Sequence, residues 1–263
     1  MSRGYPKVTG ILPIALEEAT KVVQAFLYSG KQYVCVMQIH ADVPANRVRE
    51  VLKEFVGEIY QKPPLRASVK REPRKRSIYE LSIHEIDGRT VLFTCTCQAG
   101  TYMRKLCSDI GEILGCGAHM RELRRTRAGS FTEESELTTL HELSAAQDEY
   151  EKGNETPLRA IIKPMEAALE DIPRIVIRDS AVDAICHGAE LAIPGISRLE
   201  SNISRNKPVA LFTLKGEAVA IGRALMNANE ILEQEKGLVV RAERVLMDRN
   251  TYPSTWKHQQ SRT

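Results

Sequence analysis

Aromatic side chains make up only 5% of the 263 residues, with a single tryptophan. Long apolar runs are also missing. No window reaches the roughly 18 uninterrupted apolar residues a membrane-spanning helix needs, so no membrane association is expected. The opening Met1-Ser2-Arg3-Gly4-Tyr5-Pro6-Lys7 holds no apolar stretch of the signal-peptide kind, and the expectation is a cytosolic or nuclear protein. None of the six cysteines (35, 95, 97, 107, 116, 186) forms a C-x-x-C pair, and none of the six histidines sits four residues from another. That spacing gives no metal site, and reduced, mostly buried thiols are expected. No strand is followed by a Gly-rich turn and a helix, so no nucleotide cofactor is implied. Gly115-Cys116-Gly117 follows a helix instead.

What is present is ordinary globular material, 43% apolar and 27% charged. At roughly 150 residues per domain the length suggests two domains or one large one. The net charge of +3 conceals a strong polarisation. Residues 62–127 carry 14 Lys+Arg against 7 Asp+Glu, whereas residues 133–171 carry 3 against 11. Screening over ~10 Å keeps the acidic stretch from cancelling the basic one, so a polyanionic partner is expected. The excess lies in two runs, Lys70-Arg71-Glu72-Pro73-Arg74-Lys75-Arg76 and Arg121-Glu122-Leu123-Arg124-Arg125-Thr126-Arg127. Each run alone is equally readable as a solvated face. Together, with Tyr79 and Tyr102 nearby, they favour nucleic acid.

Periodicity organises the chain. Residues 17–27 have helical spacing, and 32–40 alternate as a strand with Tyr33, Cys35, Met37 and Ile39 on one face. Residues 46–55 and 102–114 read as helices, and Asp87-Gly88 joins two strands as a hairpin. The Lys62-Pro63-Pro64 break places the first basic run on a loop. Helices are expected over 137–150 and 158–169. After Pro173 the chain turns to short β pieces, with Asp179 capping a short helix. The expected division is a first domain over 1–168, a β-rich domain over 172–250 and a polar tail over 257–263.

Several stretches, in order, resemble the TruB-type RNA pseudouridine synthases, in the dyskerin branch that works with box H/ACA guide RNA. They are Pro6-Lys7-Val8-Thr9-Gly10, Gly30-Lys31-Gln32-Tyr33-Val34, Pro63-Pro64-Leu65 with Ser68-Val69-Lys70, Ala99-Gly100-Thr101-Tyr102-Met103-Arg104, and Gly117-Ala118-His119-Met120-Arg121-Glu122-Leu123-Arg124-Arg125. The segment from Asp179-Ser180-Ala181-Val182 to Pro194-Gly195-Ile196 looks like the PUA module of that branch. The resemblance implies an α+β fold: a mixed, largely antiparallel pseudouridine-synthase sheet with flanking helices, plus a small β-rich PUA domain. It implies isomerisation of uridine to pseudouridine in rRNA or tRNA without a cofactor. The implied partners are guide RNA, substrate RNA and small accessory proteins of the particle. The setting would be the cytoplasm, or the nucleolus in a eukaryote.

The chemistry such a family performs accounts for the residue types. The uridine is unstacked, its glycosidic bond broken, and its base rotated and rejoined to the same sugar through carbon. By resemblance Tyr33 stacks on the base and assists proton removal from C5, and Arg104 pairs with the catalytic aspartate. By the same resemblance Tyr102 and Leu123 line the pocket, and both read equally as core residues. The resemblance also implies RNA contacts for Lys70, Arg71, Arg74, Lys75, Arg76, Arg124 and Arg125. Gly188, Gly195 and Arg198 meet the guide's lower stem and terminal trinucleotide. From the residues alone, Tyr33 also reads as a half-buried strand tyrosine, Arg104 as a surface arginine and the glycines as turn formers.

One position departs from the pattern. The family's aspartate directly precedes the Pro-Lys-Val-Thr-Gly stretch, where this chain has Tyr5. A phenol with a reference pKa near ~10 does not replace a carboxylate at neutral pH. The strands that normally precede the motif are also missing from the sequence. The expectation is an N-terminally shortened synthase of impaired activity. The alternative is a non-catalytic RNA-binding scaffold that uses the PUA module and the basic face.

Overall fold

A computed structural model describes residues 8–63, 72–134 and 137–254. The described residues form two compact units. One comprises Ser29–Thr139 with the residues up to Pro13, and the other comprises Ile14–Tyr28 with the residues from Leu140 onward.

The first unit is a sheet whose strands are β1 (Val8–Gly10), β2 (Lys31–Ile39), β3 (Gly57–Gln61), β4 (Arg74–Asp87), β5 (Thr90–Cys97), β6 (Ala118–Ala128) and β7 (Phe131–Thr132). Their order is β1-β6-β2-β5-β4-β3, with β7 paired to β6. β1 runs parallel to β6, and the other ladders are antiparallel. Alternation in β2 sends Cys35, Met37 and Ile39 into the core, where Val91, Phe93, Cys95 and Cys97 of β5 meet them. Two amphipathic helices add to this core: α1 (Ala45–Glu54) through Val48, Val51 and Leu52, and α2 (Met103–Ile113) through Met103, Leu106, Cys107 and Ile110. Burying each large side chain contributes about 1.5–3 kcal/mol. Gly111 lets α2 come close, because a Cβ there would fall on the backbone of Gly117 and Ala118.

The second unit begins with a 3₁₀ segment, Glu17–Gln24, and one α turn, Ala25–Tyr28. It continues with helices α3 (Leu140–Glu151) and α4 (Thr156–Ile161) and a 3₁₀ turn, Met165–Leu169. Then come β8 (Arg174–Ile177), α5 (Asp179–Cys186), β9 (Leu191–Ala192), β10 (Ile196–Leu199), β11 (Pro208–Phe212), β12 (Ala218–Ala224), α6 (Ala228–Glu233) and β13 (Leu238–Val245). Its sheet order is β10-β8-β11-β12-β13-β9. Ile175, Ile177, Val182, Ile185, Leu211, Val219, Val239 and Val240 fill its core. The expected α+β architecture, a mixed and largely antiparallel sheet with helices followed by a β-rich module, is the one observed.

Several local expectations need correction. Arg74, Lys75 and Arg76 lie on β4 rather than on a loop, because pairing with Gln61, Tyr60 and Ile59 of β3 extends the strand. Residues 118–128, with their crowded charges, form a strand held between two neighbours, β1 and β2. The helix expected over 158–169 is broken at Pro164, which lacks the amide hydrogen a continuing helix needs. Residues 17–27 open as a 3₁₀ segment rather than an α-helix. Asp179 is the first residue of α5, and Arg178 holds the cap position without a side-chain bond. Residues 140–169 group with the β-rich module in the second compact unit. The Glu166 carboxylate accepts a hydrogen bond from the Ala218 amide at 3.0 Å, joining the 3₁₀ turn to β12. Tyr5, Lys70, Arg71 and the 257–263 tail lie outside the described residues.

Candidate active site and RNA-facing residues

Strand β2 and helix α2 place the two residues singled out for chemistry. Tyr33 is half-buried and paired with Cys95 on β5 and Arg125 on β6. Helix α2 runs in the direction of β2. Its late residue Gly111 abuts Ala118, the strand partner of Ile39, and its middle residue Cys107 has Sγ 3.6 Å from Cys35 Sγ. The first turn of α2, which carries Arg104, therefore falls at the Tyr33 end of the strand. Arg104 is exposed and has no hydrogen-bond or ion-pair partner among the described residues. A guanidinium so placed is free to take a carboxylate or phosphate bidentately.

The entry to α2 is held by a residue the sequence reading missed. Gln61, 1% exposed, accepts from the Tyr102 amide at 2.9 Å and donates from Nε2 to the Tyr102 carbonyl at 3.3 Å. That carbonyl also receives the Leu106 amide at 3.0 Å, the first helical bond of α2. The available signal was a polar residue directly before Lys-Pro-Pro at the buried phase of a strand. Tyr102 is itself half-buried, and Leu123, 9% exposed, packs in the core cluster that Tyr33 borders.

Burial raises the Tyr33 phenol above its ordinary range, and the nearby Cys97 thiol adds to this, while the Arg125 guanidinium opposes it. At neutral pH the phenol is therefore protonated and can donate as well as accept. Behind it lie the free thiols of Cys35, Cys95, Cys97 and Cys107. The bond to Cys97 and burial keep Cys95 protonated, and the bond to Cys35 and burial do the same for Cys107. These two thiols act as apolar filling rather than as nucleophiles.

The basic residues divide. Arg76 donates from Nε to the Gly100 carbonyl at 3.2 Å and from Nη1 to the Lys75 carbonyl at 2.8 Å, which anchors it to the turn before α2. Lys75 is ion-paired with Glu58 at 2.6 Å, and Arg124 with Glu133 at 2.6 Å. Arg74 has no such partner among the described residues. Arg124 and Arg125 are consecutive on a strand, so they face opposite sides of the sheet, and only Arg125 pairs with Tyr33.

In the second unit Gly188 follows α5 with φ +90° and donates its amide to Ile185 at 2.9 Å, as a left-handed helix stop does. It borders a shallow cleft of about 430 Å³ with Lys21, Cys186, His187, Asp248 and Arg249. Gly195 is wedged between Ala181 and Leu191, and neither it nor Arg198 lines that cleft. Arg198 is exposed on β10 without a partner among the described residues.

Three family models match consecutive stretches of the chain. Residues 5–103 match the model of the TruB family pseudouridylate synthase N-terminal domain. Residues 104–170 match the tRNA pseudouridylate synthase B C-terminal domain, and residues 173–246 the PUA domain. The chain is 56% identical over 252 residues to a probable tRNA pseudouridine synthase B of Methanopyrus kandleri, covering 95% of this chain and 74% of that protein. It is 52% identical over 252 residues to its counterpart in Archaeoglobus fulgidus, covering 96% and 78%. Among solved structures, a Cbf5-Nop10-Gar1 complex aligns with TM-score 0.88 and 51% identity, over 95% of this chain and 76% of the other. An H/ACA RNP bound to a substrate RNA containing 2'-deoxyuridine aligns with TM-score 0.84 and 49% identity, over 95% and 76%.

Proposed function

The chain belongs to the TruB family of pseudouridine synthases, and from that premise we propose that it serves as the uridine-isomerising subunit of a guide-directed particle. Guide direction is supported by the solved relative that is an H/ACA RNP bound to substrate RNA. What supports the site is that Tyr33 and the first turn of α2 lie toward the same end of β2, with Leu123 in the core cluster that Tyr33 borders. There Tyr33 stacks on the extruded base, and Arg104 holds the group that attacks the sugar or base. The unpartnered Arg74, with Arg71, grips substrate backbone and Lys70 contacts it as a point charge, while the 172–250 domain with Arg198 grips the guide.

In the sequence as given, Tyr5 occupies the position of the family's aspartate. The reading is therefore a synthase impaired at the chemical step and intact in RNA binding. Release of tritium from [5-³H]uridine RNA is measured with the chain assembled with guide RNA and accessory proteins. The expected outcome is little or no release from the unmodified chain and a gain with Tyr5→Asp. Turnover by the unmodified chain equal to that of a full-length relative overturns the impairment. Guide binding with no gain from Tyr5→Asp identifies the non-catalytic scaffold instead.

A further inference from the structure

Arg125 belongs to a basic run, yet its surroundings are unlike those of its neighbours. Arg121 and Arg124 are exposed, whereas Arg125 is half-buried. Its Nε donates to the Ile11 carbonyl at 2.7 Å, and its own carbonyl accepts the Ile11 amide at 2.9 Å. The two bonds close a ring between β6 and the residue just after β1. Ile11 is 6% exposed, so the charge-assisted bond is screened from water and correspondingly strong. The approach depends on Gly10, with φ +98°, where a Cβ would fall on the Arg125 backbone. Across β6 and β2, Arg125 is the direct strand partner of Tyr33, so the two side chains share one face.

We propose that Arg125 is a positioning residue, not an RNA contact: its guanidinium ties the Ile11 end of the N-terminal motif to the Tyr33 side chain and fixes the ring that faces the base. The role deepens the reading of Tyr33 as base-facing and rests on it. A guanidinium can hold both neighbours because its donors form a rigid planar fork, with Nε on the Ile11 carbonyl and the Nη groups left for the phenol oxygen. A lysine in its place offers one flexible point charge and cannot do both. The titratable neighbours of the Tyr33 phenol are Cys95 and Cys97 on β5 and Arg125 on β6.

The test compares the full chain with Arg125→Ala and Arg125→Lys by three readouts. The first is hydrogen exchange at the Ile11 amide, expected to quicken at least about tenfold in both variants as the ring opens. The second is the ¹⁹F titration of 3-fluorotyrosine at position 33, assigned by its loss in Tyr33→Phe. In Arg125→Ala it is expected to move upward by on the order of one pH unit, because the cation that favours the phenolate is gone. The third is affinity for a uridine-containing stem-loop RNA against salt. The slope of log K on log salt is expected to stay unchanged, whereas loss of one phosphate contact lowers it by about 0.7–0.9. A lowered slope in Arg125→Ala, with Ile11 exchange and the Tyr33 titration unmoved, overturns the proposal and makes Arg125 a phosphate contact. If Arg125→Ala does not fold, Arg125→Lys decides: it keeps a phosphate contact, so unaltered Ile11 exchange refutes the tether and faster exchange supports it. The first two readouts need neither RNA nor turnover, so they judge the tether even if the isomerase reading fails.

Discussion

Gln61 brackets the backbone of Tyr102, receiving its amide hydrogen at 2.9 Å and donating to its carbonyl at 3.3 Å. A side chain on β3 thereby sets where α2 begins and where its second residue, Arg104, is presented. Replacing Gln61 by Met keeps the volume and removes both bonds. Because the Tyr102 amide would be left without its partner, a loss of about 2 kcal/mol is expected in urea unfolding. Faster amide exchange in the first turn of α2 is expected alongside it. An unchanged midpoint with unchanged exchange would refute this anchoring.

Arg104 is expected to behave in the opposite way. It is exposed and has no partner among the described residues, so Arg104→Ala should leave the denaturation midpoint within about 0.5 kcal/mol. In the Tyr5→Asp background it should lower pseudouridine formation by at least about tenfold, the rate equivalent of ~1.4 kcal/mol in the barrier. A large stability loss would show that the residue has a structural partner instead.

Gly111 measures how closely α2 sits against β6. A methyl group there would fall on the backbone of Gly117 and Ala118, which cannot move aside as a flexible side chain can. Gly111→Ala, normally favourable in a helix, is therefore expected to cost more than about 2 kcal/mol. Calorimetric melting of the chain would reveal it, and a stabilised variant would contradict the close approach.

Acid sensitivity should have a specific source in the second unit. The Glu217 carboxylate accepts from Tyr252 Oη at 2.6 Å and from Thr213 Oγ1 at 2.9 Å, and these bonds lower its pKa. With the folded value below the unfolded one, this contribution is complete above the ordinary Glu range of ~4.3. It is lost as pH falls through the folded value. Tyr252→Phe should therefore flatten the decline in stability below that range in pH-dependent urea unfolding. An identical acid limb in both proteins would dismiss Glu217 as its source.

Much of this protein was readable from its residues. The alternation of Tyr33, Cys35, Met37 and Ile39 and the apolar phase of 46–55 and 102–114 match β2, α1 and α2. The Asp87-Gly88 signal marks the observed hairpin, closed by the Asp87–Thr90 pair. Such patterns are local: a side chain every second or every third to fourth position either meets a core or does not. The motif order likewise pointed to the family that the comparisons bear out. What the residues left open was decided by packing between distant segments. In Arg121–Arg127 both phases carry charge, so periodicity could not say that this is a strand between two others. Nor could it say that Arg125 turns toward Tyr33 while Arg124 turns away to Glu133. A polar residue such as Gln61 carries no hydrophobic signature, and its value comes from two backbone atoms 41 residues away in sequence. Pairing register and burial are properties of the assembled sheet, and they gave adjacent arginines of one run different partners, the Ile11 carbonyl for Arg125 and the Glu133 carboxylate for Arg124.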